Sequence, residues 1–145
     1  MKEIRTEILI QTSAEYVWKV LTDFSSYEEW NPFIMTITGE LKVGARFFIK
    51  IHFPGGREKR FRPVVLAVVP KKKLYWRGRL LFSKLFTGEH CFEIEELEPN
   101  LVRFIQYERH HSPLLPLVSR RIEFDAKRGF KEMNRALKIR AEKID

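Results

Sequence analysis

A chain of 145 residues with 44% hydrophobic and 13% aromatic side chains has the length of one domain, expected to span residues 1–145, and enough apolar content for a core; this excludes a disordered chain. Its one cysteine, Cys91, excludes an intrachain disulfide and a cysteine-rich metal site, and fits a reducing compartment. The balance of 27 Lys and Arg against 19 Asp and Glu gives +8, but the basic residues are scattered without a nucleic-acid motif, so a solvated face is expected and a nucleic-acid partner is not.

The chain opens with charged residues instead of a signal peptide, and its longest apolar run, 64–69, is far too short to span a bilayer, so a soluble, cytoplasmic protein is expected. Residues 4–10 alternate apolar Ile4, Ile8 and Ile10 with charged partners and predict a first strand. Thr12 and Ser13 offer N-cap hydroxyls to a short helix over 14–21 that carries Val17, Trp18 and Leu21. Ser25 and Ser26 are expected to cap a second short turn over 27–30, which Asn31-Pro32 ends because the residue before proline is disfavoured in the helical region.

Six further strands are predicted at 35–39, 46–53, 59–69, 73–80, 88–97 and 101–109, separated by turn signals at 42–44, 54–56, 70–72 and 98–100. Short turns favour an antiparallel meander, with Pro63 suited to an edge, a strand start or a bulge. After Pro113 and Pro116, residues 118–144 place Val118, Ile122, Ala126, Phe130, Met133, Leu137, Ala141 and Ile144 at helical spacing. Phe130, Met133 and Leu137 should press on the sheet, while Lys138 and its basic neighbours face water. The order is α+β: one strand, two short helices, six strands and one long helix.

Residues 10–33, with Ala14, Val17-Trp18, Leu21-Thr22-Asp23-Phe24, Tyr27 and Trp30-Asn31-Pro32-Phe33, resemble the opening of the START-like SRPBCC superfamily, in particular its polyketide cyclase/dehydrase branch. Gly88-Glu89-His90-Cys91-Phe92-Glu93 and the stretch from Gly129 to Lys138 resemble the same group, although Ala14 stands where a proline is often seen. The resemblance implies a helix-grip fold: a seven-stranded antiparallel sheet wrapped around the C-terminal helix, with a cavity between them. Across the superfamily that cavity takes lipids, sterols, hormones or polyketides, and no universal catalytic residue is shared. Binding of a small hydrophobic or amphipathic molecule is therefore the expected function, and a cyclase or dehydratase using acid–base chemistry is the alternative.

Candidate site residues follow from strand alternation. On 88–97, His90, Phe92 and Ile94 share the apolar face and point inward, with Glu89, Cys91, Glu93 and Glu95 outward. An inward His90 can polarise a ligand carbonyl or act as acid or base, or can be a core imidazole satisfied by its neighbours. Glu108 joins it at the cavity mouth if Phe104, Gln106 and Glu108 form the inner face, a phase for which Ile105 and Tyr107 compete. Trp76 is an aromatic wall or core packing, Trp30 and Phe33 a lid or plug, and Phe130 and Asn134 the helix contribution to the site. His110-His111 resembles a metal pair only until alternation sends the two to opposite faces, so neither a metal nor a cofactor is expected. The apolar segment 81–86 can gate the pocket or, with the basic helix face, touch a membrane surface.

Overall fold

A computed structural model describes residues 2–79, 87–111 and 120–143. The predicted loop at 81–86, Pro113, Pro116, Val118 and Ile144 lie outside the described residues.

Strand β1 (Lys2–Ile10) leads into helix α1 (Ala14–Thr22), whose first turn is capped as expected: Ser13 Oγ accepts from the Tyr16 amide at 3.1 Å. Ser25 and Ser26 do not cap the next helix. Their hydroxyls donate to the Asp23 carboxylate at 3.0 and 2.8 Å, and the chain winds through a 3₁₀ turn (Phe24–Ser26) into α2 (Tyr27–Trp30). Asn31 then ends the helical run as its place before proline requires. Its Oδ1 accepts from the amides of Phe33 and Ile34 at 3.0 and 2.9 Å and turns the chain into β2 (Ile34–Thr38).

The strands make two antiparallel sheets, not the single seven-stranded one expected. Strands β2, β3 (Phe48–His52) and β4 (Glu58–Phe61) form one. The other has the order β1-β8-β7-β6-β5, with β5 at Val64–Val69, β6 at Lys73–Arg79, β7 at Thr87–Glu98 and β8 at Leu101–His111. The run predicted as one strand over 59–69 divides at Arg62-Pro63, because proline has no ladder N–H and restricts the residue before it. The predicted strand 46–53 begins later, at Phe48. Residues 45–47 pair with β5 instead: Val65 N–H donates to Ala45 O at 2.8 Å, Phe47 N–H to Pro63 O at 3.0 Å, and Arg46 bridges Val64. This seam stitches the two sheets together.

Helix α3 (Arg120–Ala141) lies against β1, α1 and β8. Ala126, Phe130, Met133, Leu137 and Ala141 are buried, and Phe130, Met133 and Leu137 have no exposed surface. Lys138 faces water less freely than its place in the pattern suggests. Its Nζ donates to Leu9 O at 2.9 Å and pairs with Glu142 at 2.5 Å, while Glu142 also accepts from the Gln11 amide at 2.7 Å. These contacts fasten the end of α3 to the end of β1. None of the described helices is long and apolar enough to cross a membrane.

Candidate functional site

The inner face of the main sheet is ordered by its register. Val65, Trp76, His90, Glu108 and Ile4 form one row across all five strands, and Leu74, Phe92, Gln106 and Thr6 form the adjacent row across four. Alternation on β7 thus turns His90 and Phe92 inward as predicted. On β8 the inner phase is Phe104, Gln106 and Glu108. Ile105 and Tyr107 are nonetheless buried, because they pack with Cys91 and Tyr75 in a second cluster on the outer face. Both sides of β8 are covered, which is why its sequence alternation was ambiguous.

His90 sits in an aromatic box. Its ring stacks on Trp76 at 5.3 Å between centroids and 14° between planes, tilts against Phe92 at 4.7 Å, and meets the edge of Phe130 at 5.0 Å. Phe130 continues to Phe33 at 5.6 Å, and Phe33 to Phe53 at 5.7 Å. The structure therefore brings together Phe33, Trp76, His90, Phe92 and Phe130. Trp30 stands apart from this group and joins it through Tyr27, Phe24 and Phe47, which leads to Trp76. Its indole Nε1 is buried and unpartnered among the described residues.

A chain of polar side chains crosses this apolar setting. Glu108 Oε2 lies 3.3 Å from His90 Nδ1, and His90 Nε2 lies 2.9 Å from Gln106 Oε1. Gln106 Nε2 donates to Asn134 Oδ1 at 2.7 Å, Asn134 Nδ2 donates to Thr6 Oγ1 at 2.9 Å, and Thr6 donates to the Gln106 main-chain carbonyl at 3.0 Å. Thr6, His90, Gln106, Glu108 and Asn134 are all buried, Gln106 completely. Stranded singly in such a place each would cost free energy; here every one has a partner. Asn134, expected at the edge of the helix stripe, ties α3 to β8 and β1.

Thr6 was not singled out from the sequence, Gln106 entered only through the inner-face phase of β8, and His110 only as half of a rejected metal pair. His110, half-buried, places Nδ1 3.8 Å from Glu108 Oε1, on the opposite side of that carboxylate from His90. The alternation of Phe104, Gln106 and Glu108 held the signal for Gln106, and only the pairing of β8 with β7 resolves it. Near the start of α3, the buried Asp125 pairs with Arg57 of the β3–β4 turn at 3.4 Å. Among the described residues no group of three or more His, Cys, Asp or Glu is placed to hold a metal ion. An open groove of about 720 Å³ lies elsewhere, between the β5–β6 turn at Val69–Lys73 and Glu93–Glu96, and includes none of the predicted site residues.

Solved structures share this architecture. A protein from Mesorhizobium loti is 22% identical with a TM-score of 0.75, covering 99% of this chain and 100% of its own. A START superfamily protein from Mycobacterium smegmatis is 18% identical with a TM-score of 0.76, covering 97% of each chain. An aromatase/cyclase from Streptomyces is 13% identical with a TM-score of 0.80, covering 97% of this chain and 93% of its own. At these identities the likeness concerns the fold: an α+β architecture with a C-terminal helix packed on a sheet. No curated protein matches the sequence. The family described as polyketide cyclase / dehydrase and lipid transport does match, over residues 1–142, and the chain belongs to that family.

Proposed function

We propose that the chain binds a small hydrophobic or amphipathic molecule between the main sheet and α3, which together grip it in the helix-grip manner, with Trp76, Phe92 and Phe130 as apolar walls and the Glu108 end of the polar chain meeting the ligand's polar group. The observation that carries this reading is the run of five buried polar side chains inside an aromatic lining. Such a network adds little stability over apolar residues of the same volume, so stability alone is a poor reason for it. Trp30, Phe33 and Asn134 have supporting parts, Phe33 seating α3 and Asn134 holding the chain's inner end. The family's description, which covers both cyclase or dehydrase action and lipid transport, is consistent with a ligand between sheet and helix.

An environment-sensitive apolar dye such as anilinonaphthalene sulfonate tests the reading. Saturable binding, displaced by long-chain alcohols or fused-ring aromatics and weakened by Trp76→Ala, is expected. Fluorescence that never saturates and is indifferent to these competitors would overturn it.

A second reading has its own observation, the His90–Glu108 contact at 3.3 Å inside the aromatic box. In that reading the pair moves a proton on a bound carbonyl compound, as a cyclase or dehydratase requires. Hydrogen–deuterium exchange at the carbon beside the carbonyl of tetralone, followed by NMR, provides the assay. His90→Ala should lower protein-dependent exchange while dye binding persists; exchange equal to buffer in the native protein removes the reading.

A further inference from the structure

The hydrogen-bonded chain behind Trp76 has a direction, and the direction locates its protons. Thr6 Oγ1 lies 3.0 Å from the main-chain carbonyl of Gln106, which can only accept, so the hydroxyl hydrogen points there. The hydroxyl oxygen then accepts from Asn134 Nδ2, and Asn134 Oδ1 accepts from Gln106 Nε2. A second main-chain carbonyl, Phe130 O at 3.4 Å from Gln106 Nε2, anchors the Gln106 amide in the same sense. The atom that Gln106 presents to His90 Nε2 at 2.9 Å is therefore an oxygen without a hydrogen. His90 must carry its hydrogen on Nε2.

On the other side of the ring, Nδ1 faces Glu108 Oε2 at 3.3 Å. A bare nitrogen opposite a bare carboxylate would set two lone pairs against each other in a buried place. One proton must lie between them. It sits either on Nδ1, as imidazolium beside carboxylate, or on Oε2, as carboxylic acid beside neutral imidazole. Both arrangements leave the other carboxyl oxygen, Glu108 Oε1, without a hydrogen. Oε1 is thus an acceptor whichever way the shared proton moves. It is also the oxygen on the side of half-buried His110.

We infer that Glu108 Oε1 selects the head of the bound molecule: a neutral hydrogen-bond donor such as an alcohol or phenol, in preference to a carboxylate. This rests on the ligand-binding reading above. A hydroxyl donates to Oε1 in either proton arrangement, whereas a ligand carboxylate meets an acceptor in both and a like charge in one. His110 stands beside the same oxygen and opposes the selection when it carries charge, because an imidazolium there attracts an anionic head.

Gln106, Asn134 and Thr6 act through His90 as positioning residues. By holding Nε2–H toward Gln106 they keep Nδ1 on Glu108, and so keep Oε2 engaged and Oε1 available.

Two measurements on the intact protein test this independently. In histidine-labelled protein, ¹⁵N NMR should show His90 protonated on Nε2. A bare Nε2 with hydrogen on Nδ1 would overturn the assignment, whether or not any ligand binds. In dye displacement, naphthol should outcompete naphthoate, which has the same ring body, by about tenfold or more. Glu108→Leu, which removes the acceptor, should abolish that preference, and His110→Asn should retain or increase it. Equal displacement by naphthol and naphthoate in the native protein sinks the selectivity while the binding reading stands. Absence of saturable dye binding sinks both, and the NMR result still decides the proton assignment.

Discussion

Gly129 reverses an ordinary rule of helix stability. A glycine inside a helix normally costs up to about 1 kcal/mol relative to alanine, so Gly→Ala is usually stabilising. Here a Cβ would fall 2.4 Å from the Phe33 ring, which occupies the notch that the glycine leaves in α3. Gly129→Ala should therefore destabilise by about 1–3 kcal/mol, the usual range for overpacking, as read from urea denaturation. Combining it with Phe33→Leu should recover part of the loss; a single variant more stable than the native protein would show that the notch is not tight. Cys91 makes a residue-scale prediction of a different kind. Burial, more than any neighbouring group, pushes its thiol up from 9.0 to about 11. The thiol is favoured over the thiolate in the folded state, so Cys91 should react slowly with a thiol reagent in native protein and completely in denaturant. A folded value above the unfolded one supports stability in full below about 9 and withdraws it as pH rises toward about 11. Burial also raises Tyr27, Tyr75 and Tyr107, so Cys91→Ala should blunt the alkaline loss of stability without abolishing it.

At the scale of the element, α3 is held by an apolar stripe and by a polar fastening at its end. Leu137 has no exposed surface, and Leu137→Ala should cost about 2–5 kcal/mol. Phe130→Ala should cost at least as much, since it removes ring contacts to Phe33 and His90 together. Lys138→Ala, which helical periodicity marks as neutral, should cost about 1 kcal/mol because its ammonium bonds the end of β1. Thermal unfolding of the three variants checks the order, and equal tolerance of Leu137→Ala and Lys138→Ala would contradict the packing of this helix. The fastening is also sensitive to acid. Burial pushes the Glu142 carboxyl up, but the Gln11 amide and Lys138 outweigh it and hold it below its usual 4.5. A carboxyl depressed in the folded state contributes stability above its unfolded value and loses it as pH falls through the folded one. The protection of the Gln11 amide, measured against its intrinsic exchange rate, should accordingly fall below about pH 4.5, and Glu142→Gln should remove that dependence.

At the scale of the whole molecule, the question is whether two sheets behave as one body. The seam at residues 45–47 and 63–65 joins them through the backbone, and Phe33, leading out of the Asn31 turn, packs against α3 at Gly129 and Phe130. Neither connection leaves the three-stranded sheet a core of its own. We therefore expect residues 1–145 to unfold as a single domain. Tryptophan fluorescence and far-ultraviolet circular dichroism should give coincident transitions in urea; Trp18 and Trp30 report from the helical end and Trp76 from the main sheet. Two separated transitions would show that the small sheet and the main sheet are distinct folding units.

The sequence by itself determined the elements that depend on neighbours along the chain. Ser13 capped α1, Asn31 before proline stopped α2, alternation turned His90 and Phe92 inward, and three- and four-residue spacing marked the face of α3. Each is a local matter of dihedral preference or side-chain period. The sheet count was not legible, because Pro63 was compatible with a strand start or a bulge as well as with the division between β4 and β5. Nor was the inner face of β8, since Tyr107 and Ile105 are buried on its other side. The polar chain lay furthest from view: Gln106 meets Asn134 across 28 positions, and Asn134 meets Thr6 across 128. Periodicity states which face a side chain takes, and it carries no record of which partner arrives there. That partner is set by strand register and by the height at which α3 comes to rest on the sheet, which only tertiary packing decides.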